Sequence, residues 1–181
     1  MQTGIFAKHG LEIDASAFNG DARMQQGLTS DSIDVGIGSG PGMAFMVKGV
    51  PAKAVGAMAG VPKNMAVMVG YDSPIKTLAD LKGKKLGVAG GPIDKSWLLI
   101  VAYALRTANL DLRTETRHVF GAPPLLAEKA KQGEIDAVLN FWPYAARLEA
   151  AGFKQLIGIE DVVSELGAKG EVAMVGYVFS E

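Results

Sequence analysis

Lys85-Leu86-Gly87-Val88-Ala89, followed by Gly90-Gly91-Pro92-Ile93-Asp94-Lys95-Ser96-Trp97, decides the fold. The first five residues form a short apolar run closed by a glycine pair, which reads as a buried strand. Asp94 is placed to cap a helix, and Trp97, Val101, Leu105 and Ala108 give that helix an apolar stripe over residues 94–108. The same order of strand, small-residue turn and helix start occurs twice more. Ile33-Asp34-Val35-Gly36-Ile37 precedes Gly38-Ser39-Gly40-Pro41-Gly42, and Asp136-Ala137-Val138-Leu139-Asn140 precedes Phe141-Trp142-Pro143-Tyr144. Strands alternating with helices predict an α/β protein with a mainly parallel sheet and right-handed crossovers. In such sheets ligands sit beyond the carboxyl ends of the strands, where all three turns fall.

Outward from these turns, the chain reads as a regular succession of elements. Residues 5–10 are the tail of a helix ended by Gly10, and residues 11–18 alternate as a strand should. Asn19 or Asp21 caps a helix that runs to about Thr29. Pro41 opens a helix over residues 41–48, and residues 53–59 and 65–70 are apolar enough for strands. Tyr71-Asp72-Ser73-Pro74 punctuates the chain. A short capped helix over 77–83, a strand over 113–119 and a helix over 123–131 ended by Gly133 follow. A helix over 143–151, a strand over 153–159, a helical turn over 160–166 and a last strand over 172–179 complete the chain.

Composition narrows the function. The 181 residues are 49% apolar, so a sizeable core can form. The 18 basic and 19 acidic residues nearly cancel, which leaves no electrostatic footprint for nucleic acid or an anionic membrane. The absence of cysteine excludes disulfides, thiol catalysis and thiolate metal sites. His9 and His118 are far apart in sequence, so a zinc or histidine-based catalytic site requires the fold to join them. No run approaches the ~20 apolar residues of a membrane span, and the N-terminal residues do not read as a signal peptide. The eight methionines suit an adaptable core better than a copper stripe. Little reactive chemistry and several helix-opening turns together point to capture of a small solute rather than catalysis, with no cofactor and no catalytic residue.

Each candidate site residue has a plainer reading beside it. At Gly38, Ser39 and Gly40, free amides and a hydroxyl suit an oxyanion, or the glycines merely permit a tight connection. At Gly90, Gly91, Asp94, Lys95 and Ser96, close backbone approach, a hydroxyl and a point charge suit an anion, or Asp94 caps the helix and Lys95 is solvated. Trp97 reads as core. Asn140 and Trp142 either wall a cleft or pack the turn, with Pro143 in the first helical turn. Asn19 and Asp21 either touch a ligand or cap a helix; an aspartate in the cleft favours a solute that carries an amine as well as an acid.

Several segments together resemble the nitrate/sulfonate/taurine-type solute-binding proteins of ABC importers. They are Gly4-Ile5-Phe6-Ala7-Lys8-His9-Gly10-Leu11-Glu12-Ile13, Ile33-Asp34-Val35-Gly36, and Asp72-Ser73-Pro74-Ile75-Lys76-Thr77-Leu78-Ala79-Asp80-Leu81-Lys82-Gly83-Lys84-Lys85. Gly133-Glu134-Ile135-Asp136-Ala137-Val138 and Trp142-Pro143-Tyr144-Ala145-Ala146-Arg147-Leu148-Glu149 complete the match. The resemblance implies a type II periplasmic binding fold whose two lobes close over a small anionic solute, a permease as partner and a periplasmic location. It places lobe one at residues 1–70 and 176–181 and lobe two at 71–175. It also implies a central lobe-one strand before residue 5 and helices after residue 181. Lobe one is therefore expected to be incomplete, with self-association through it or a rearranged sheet as a consequence. A thiamine-pyrimidine type enzyme on the same fold is the alternative. That relative uses a cysteine-containing motif and a sacrificed histidine, which the sequence lacks in matching context.

Overall fold

A computed structural model describes residues 4–18, 21–40, 49, 52–58, 65–170, 172 and 174–180. Eight strands among these residues form two sheets. β1 (Val35–Ser39), β2 (Ala52–Met58) and β8 (Val175–Ser180) make a three-stranded sheet in the order β1-β8-β2. β3 (Ala66–Gly70), β4 (Lys85–Ala89), β5 (Arg117–Gly121), β6 (Ala137–Asn140) and β7 (Phe153–Gly158) make a five-stranded sheet in the order β5-β4-β6-β3-β7. The α/β class stands, but the sheets are mixed rather than mainly parallel. β4 runs parallel to β5 and β6, whereas β3 is antiparallel to β6 and β7, and β8 to β1 and β2.

The two reversed strands share a cause. Each is the first strand the chain makes after leaving the other sheet. A helix that crosses a sheet face returns the chain to the amino end of its neighbour, so the next strand is parallel. A chain arriving from the other sheet enters at the carboxyl end and runs back. The register agrees: Ala66, which starts β3, pairs with Asn140 and Gly158 at the ends of β6 and β7. Val175, which starts β8, pairs with Ser39 and Met58 at the ends of β1 and β2. Sheet membership therefore changes between β2 and β3, one strand before the border expected at Tyr71.

Period-two alternation gives the larger sheet two buried faces. Val67, Val69, Leu86, Val88 and Leu139 face one core with Trp97, Ile100 and Ala104 of α3 (Lys95–Ala108) and Ile159 and Val162 of α7 (Ile159–Glu165). Ala66, Met68 and Val138 face the other with Leu126 and Ala130 of α5 (Pro123–Lys131) and Leu148 of α6 (Trp142–Ala150). Among the described residues, the smaller sheet packs Val178 against Met24 and Leu28 of α2 (Asp21–Thr29), with Ile33 and Ala52 beside them. That packing is close because Gly36 and Gly38 leave room for Met24: an added Cβ at Gly38 would lie 3.2 Å from its terminal methyl, and one at Gly36 would overlap the side chain.

Local readings mostly hold, with corrections. α1 (Ile5–Lys8) ends before Gly10, whose φ of 71° needs no side chain. Residues 11–18 form no strand: they are irregular and exposed, and no strand among the described residues pairs with them. The expected strand at 113–119 begins late, because Asp111 caps a helical turn, α4 (Leu112–Glu115), through the Arg113 amide. The short helix at 77–83 is one 3-10 turn, Leu78–Leu81. On α3 the buried side is Trp97, Ile100, Val101 and Ala104, whereas Leu105 is 47% exposed. α3 ends at Asn109, whose left-handed φ of 50° suits asparagine. The helix expected at 41–48 lies outside the described residues.

Candidate functional site

The carboxyl ends of both sheets carry the turns that the sequence singles out. On the smaller sheet β1 ends at Ser39, which is 1% exposed. Its hydroxyl donates to the carboxylate of Asp21, the first residue of α2, so the end of the strand and the start of the helix are tied together. Gly40 follows with open space around it, whereas Gly38 lies within β1 against Met24 and Val178. Gly38 is thus explained by packing. Asn19 lies outside the described residues, as do Pro41 and Gly42 of the same turn.

On the larger sheet the β4–α3 turn is built around Asp94. Its carboxylate accepts from the backbone amides of Ser96 at 2.8 Å and Trp97 at 3.4 Å, filling the electropositive start of α3. Gly90 adopts φ +94° directly against this carboxylate, and a Cβ there would sit 3.0 Å from Asp94 Oδ2. Gly91 has open space. Ser96 is buried and its hydroxyl donates to the Met65 sulfur at 3.6 Å. Burial pushes the Asp94 carboxyl above its ordinary range; Lys95 and the two amides oppose that shift, and the charge of Asp21 adds to it. Asp21 starts α2 on the smaller sheet, and Asp94 caps α3 on the larger one.

The β6–α6 turn closes the group. Lys95 Nζ lies 5.4 Å from the centre of the Phe141 ring, which links this turn to the β4–α3 turn by a cation–π contact. Asn140 is buried and held on both sides: its Nδ2 donates to the Pro123 carbonyl at 3.0 Å and its Oδ1 accepts from the Phe141 amide at 2.9 Å. It ties the β5–α5 and β6–α6 turns together. Trp142, at the first position of α6, is 61% exposed.

The structure thus joins Asp21 with Ser39, and Asp94 with Lys95 and Ser96, and places Phe141 where the sequence reading gave it no specific partner. A lysine in the first turn of one helix beside an aromatic in the next strand-to-helix turn was the available signal. A groove of about 990 Å³ runs along the flank of α2, lined by Phe18, Ala22, Arg23, Gln26, Ser30 and Ile93. It reaches the larger sheet only through Ile93, two residues after Gly91. Among the described residues no group of three or more His, Asp or Glu is placed to hold a metal ion. His118 packs instead between Trp97 and Phe120, with ring centres 5.3 and 5.2 Å away.

Comparison with known proteins agrees with this architecture. Residues 1–157 match the family described as NMT1/THI5 like, and the chain belongs to that family. It is 33% identical over 141 residues to a putative aliphatic sulfonates-binding protein of Escherichia coli strain K12, covering 77% of this chain and 43% of the relative. It is 28% identical over 141 residues to a putative thiamine biosynthesis protein of Haemophilus influenzae, with the same two coverages. The chain therefore spans less than half the length of these relatives. The crystal structure of the periplasmic aliphatic sulphonate binding protein SsuA from Escherichia coli superposes with a TM-score of 0.72 at 27% identity, over 99% of this chain and 55% of that one. Over the part it covers, the chain has the α/β fold of periplasmic binding proteins.

Proposed function

We propose that the chain is the solute-binding part of an ABC importer component, that it captures a small anion of the sulfonate, taurine or nitrate class between its two sheets, and that it works in the periplasm with a membrane permease as partner. The observation that supports this reading is that the Ser39–Asp21 bond and the Asp94–Lys95 turn each lie at the carboxyl end of a strand, one in each sheet. The family and the names of its relatives support it. Residues proposed to face the solute are Asp21, Ser39, Gly40, Gly90, Gly91, Asp94, Lys95 and Trp142. Closing the two sheets over the solute would expel water and strengthen each polar contact.

Calorimetric titration of the 181-residue chain with alkanesulfonates, taurine, nitrate and an aminopyrimidine tests the reading. Saturable one-to-one binding of a monoanion is expected. A folded sample that binds none of these anions overturns it. Binding of the aminopyrimidine alone would favour the second reading, a pyrimidine-handling protein, for which the Haemophilus relative's name is the specific support. Self-association is proposed as well, because Val35, Ile37, Val55 and Tyr177 are all exposed on the smaller sheet.

A further inference from the structure

A sheet edge presents unpaired amides and carbonyls, and proteins blunt such edges with charges, bulges or proline. Among the described residues four strands lie at sheet edges, and three of them are blunted. β2 carries Lys53 and a register shift between Ala54 and Gly56. β7 carries Lys154 and meets β3 with a register shift between Val67 and Met68. β5 opens on the exposed Arg117. β1, Val35-Gly36-Ile37-Gly38-Ser39, has no charge, no proline and an unbroken register against β8. Hydrogen bonding fixes which of its groups face outward. The Ser180 amide donates to the Asp34 carbonyl, so Asp34, and by alternation Gly36 and Gly38, bond toward β8. The amides and carbonyls of Val35 and Ile37 therefore turn to the open edge, and the side chains of both residues are exposed.

Deepening the self-association proposed above, we propose that β1 is the seam of a two-fold dimer: it pairs antiparallel with β1 of a second copy about Ile37, which joins two three-stranded sheets edge to edge. The strand is complementary to itself in that register. Ile37 lies opposite its own counterpart, a β-branched cross-strand pair. Gly36 lies opposite Gly38, and Val35 opposite Ser39. Asp34, the nearest charge in sequence, lies opposite Gly40 rather than opposite another acid. A second copy thus meets neither like charge nor bulk along this edge.

Sedimentation and residue-resolved amide exchange of the 181-residue chain over about 1–500 μM, where a small interface dissociates, test the seam. A monomer–dimer equilibrium is expected. Exchange at Val35 and Ile37 should slow by about tenfold or more on dimerisation, while Gly36 and Gly38, already bonded to β8, change little. Ile37→Lys and Ile37→Glu each set a charge against its own copy in the seam, so each is expected to be monomeric and an equal mixture of the two to regain the dimer. Tyr177→Lys, on the central strand, is expected to keep it. Urea midpoints establish that each variant is folded, and the exchange of the parent chain decides without them. A parent chain that is monomeric throughout overturns the seam and the self-association with it. A dimer whose Val35 and Ile37 amides exchange as in the monomer, or one that a folded Tyr177→Lys variant loses, overturns the seam and places the association on the exposed sheet face. Folded lysine and glutamate variants that fail to pair when mixed overturn the seam as well.

Discussion

The Ser39 hydroxyl donates to the Asp21 carboxylate, which closes an 18-residue span and fixes the start of α2 over the end of β1. Among the described residues, the apolar contact between this helix and its sheet is Met24 and Leu28 against Val178, with Ala52 packed beside them. A hydrogen bond from a buried hydroxyl to a carboxylate is stronger than one between neutral groups. Ser39→Ala is expected to lower stability in urea by about 1–2 kcal/mol. A loss below about 0.5 kcal/mol would show that the bond merely replaces one to water.

Room for Met24 is the other condition for that packing. Gly36→Ala is expected to cost about 1–3 kcal/mol by overpacking, because the new methyl overlaps the Met24 side chain. Met24→Ala in the same chain should recover part of that loss, giving a favourable coupling in a double-mutant cycle. Additive effects would place the strain elsewhere.

Asp94 makes stability depend on pH in a defined direction. Its folded carboxyl titrates above the ordinary value, chiefly because it is buried. The folded chain therefore holds this proton more tightly than the unfolded chain. The contribution is fully present below the unfolded pKa and is lost as pH rises from there through the folded one. Asp94→Asn has no such titration. Its urea midpoint relative to the parent should climb as pH rises from about 3 and level off above the raised pKa. A difference that stays flat across this range, or falls, contradicts the burial of the charge.

Ile37 and Tyr177 are direct cross-strand partners on the face of the smaller sheet that α2 does not cover, and they are 52% and 42% exposed. If copies of the chain associate through this face, sedimentation at micromolar concentration should show an oligomer. The double variant Ile37→Lys with Tyr177→Lys should sediment as a monomer. An oligomer unchanged by these two charges places the contact on another surface.

Much of this architecture was legible in particular residues. Pro123 in its first turn fixed the start of α5, Asp94 the start of α3, and the length and composition of residues 85–89 fixed β4. Trp97 read as core, and it is 2% exposed. What failed was non-local. Strand direction depends on which sheet the chain comes from, so neither β3 nor β8 announces its reversal. Residues 11–18 alternate as a strand does, but alternation needs a partner strand to act on. Leu105 satisfied a four-residue spacing while lying just off the face that meets the sheet. In the site, the Asn140 amide donates to the Pro123 carbonyl of the neighbouring turn, a partner distant enough in sequence that no local pattern names it. Only the folded chain shows that Asp94 is at once a cap and a carboxyl whose titration is raised by its surroundings.

Amide chemical shifts of the labelled chain, followed while 2-aminoethanesulfonate is added, test the central claim most directly. The solute-cleft account expects saturable shifts clustered at Asp21, Ser39, Gly40, Gly90, Gly91, Lys95 and Phe141, drawn from both sheets and rising on one binding curve. No saturable shift in a folded chain would contradict it, as would shifts confined to Gln26, Ser30 and the rest of the groove along α2.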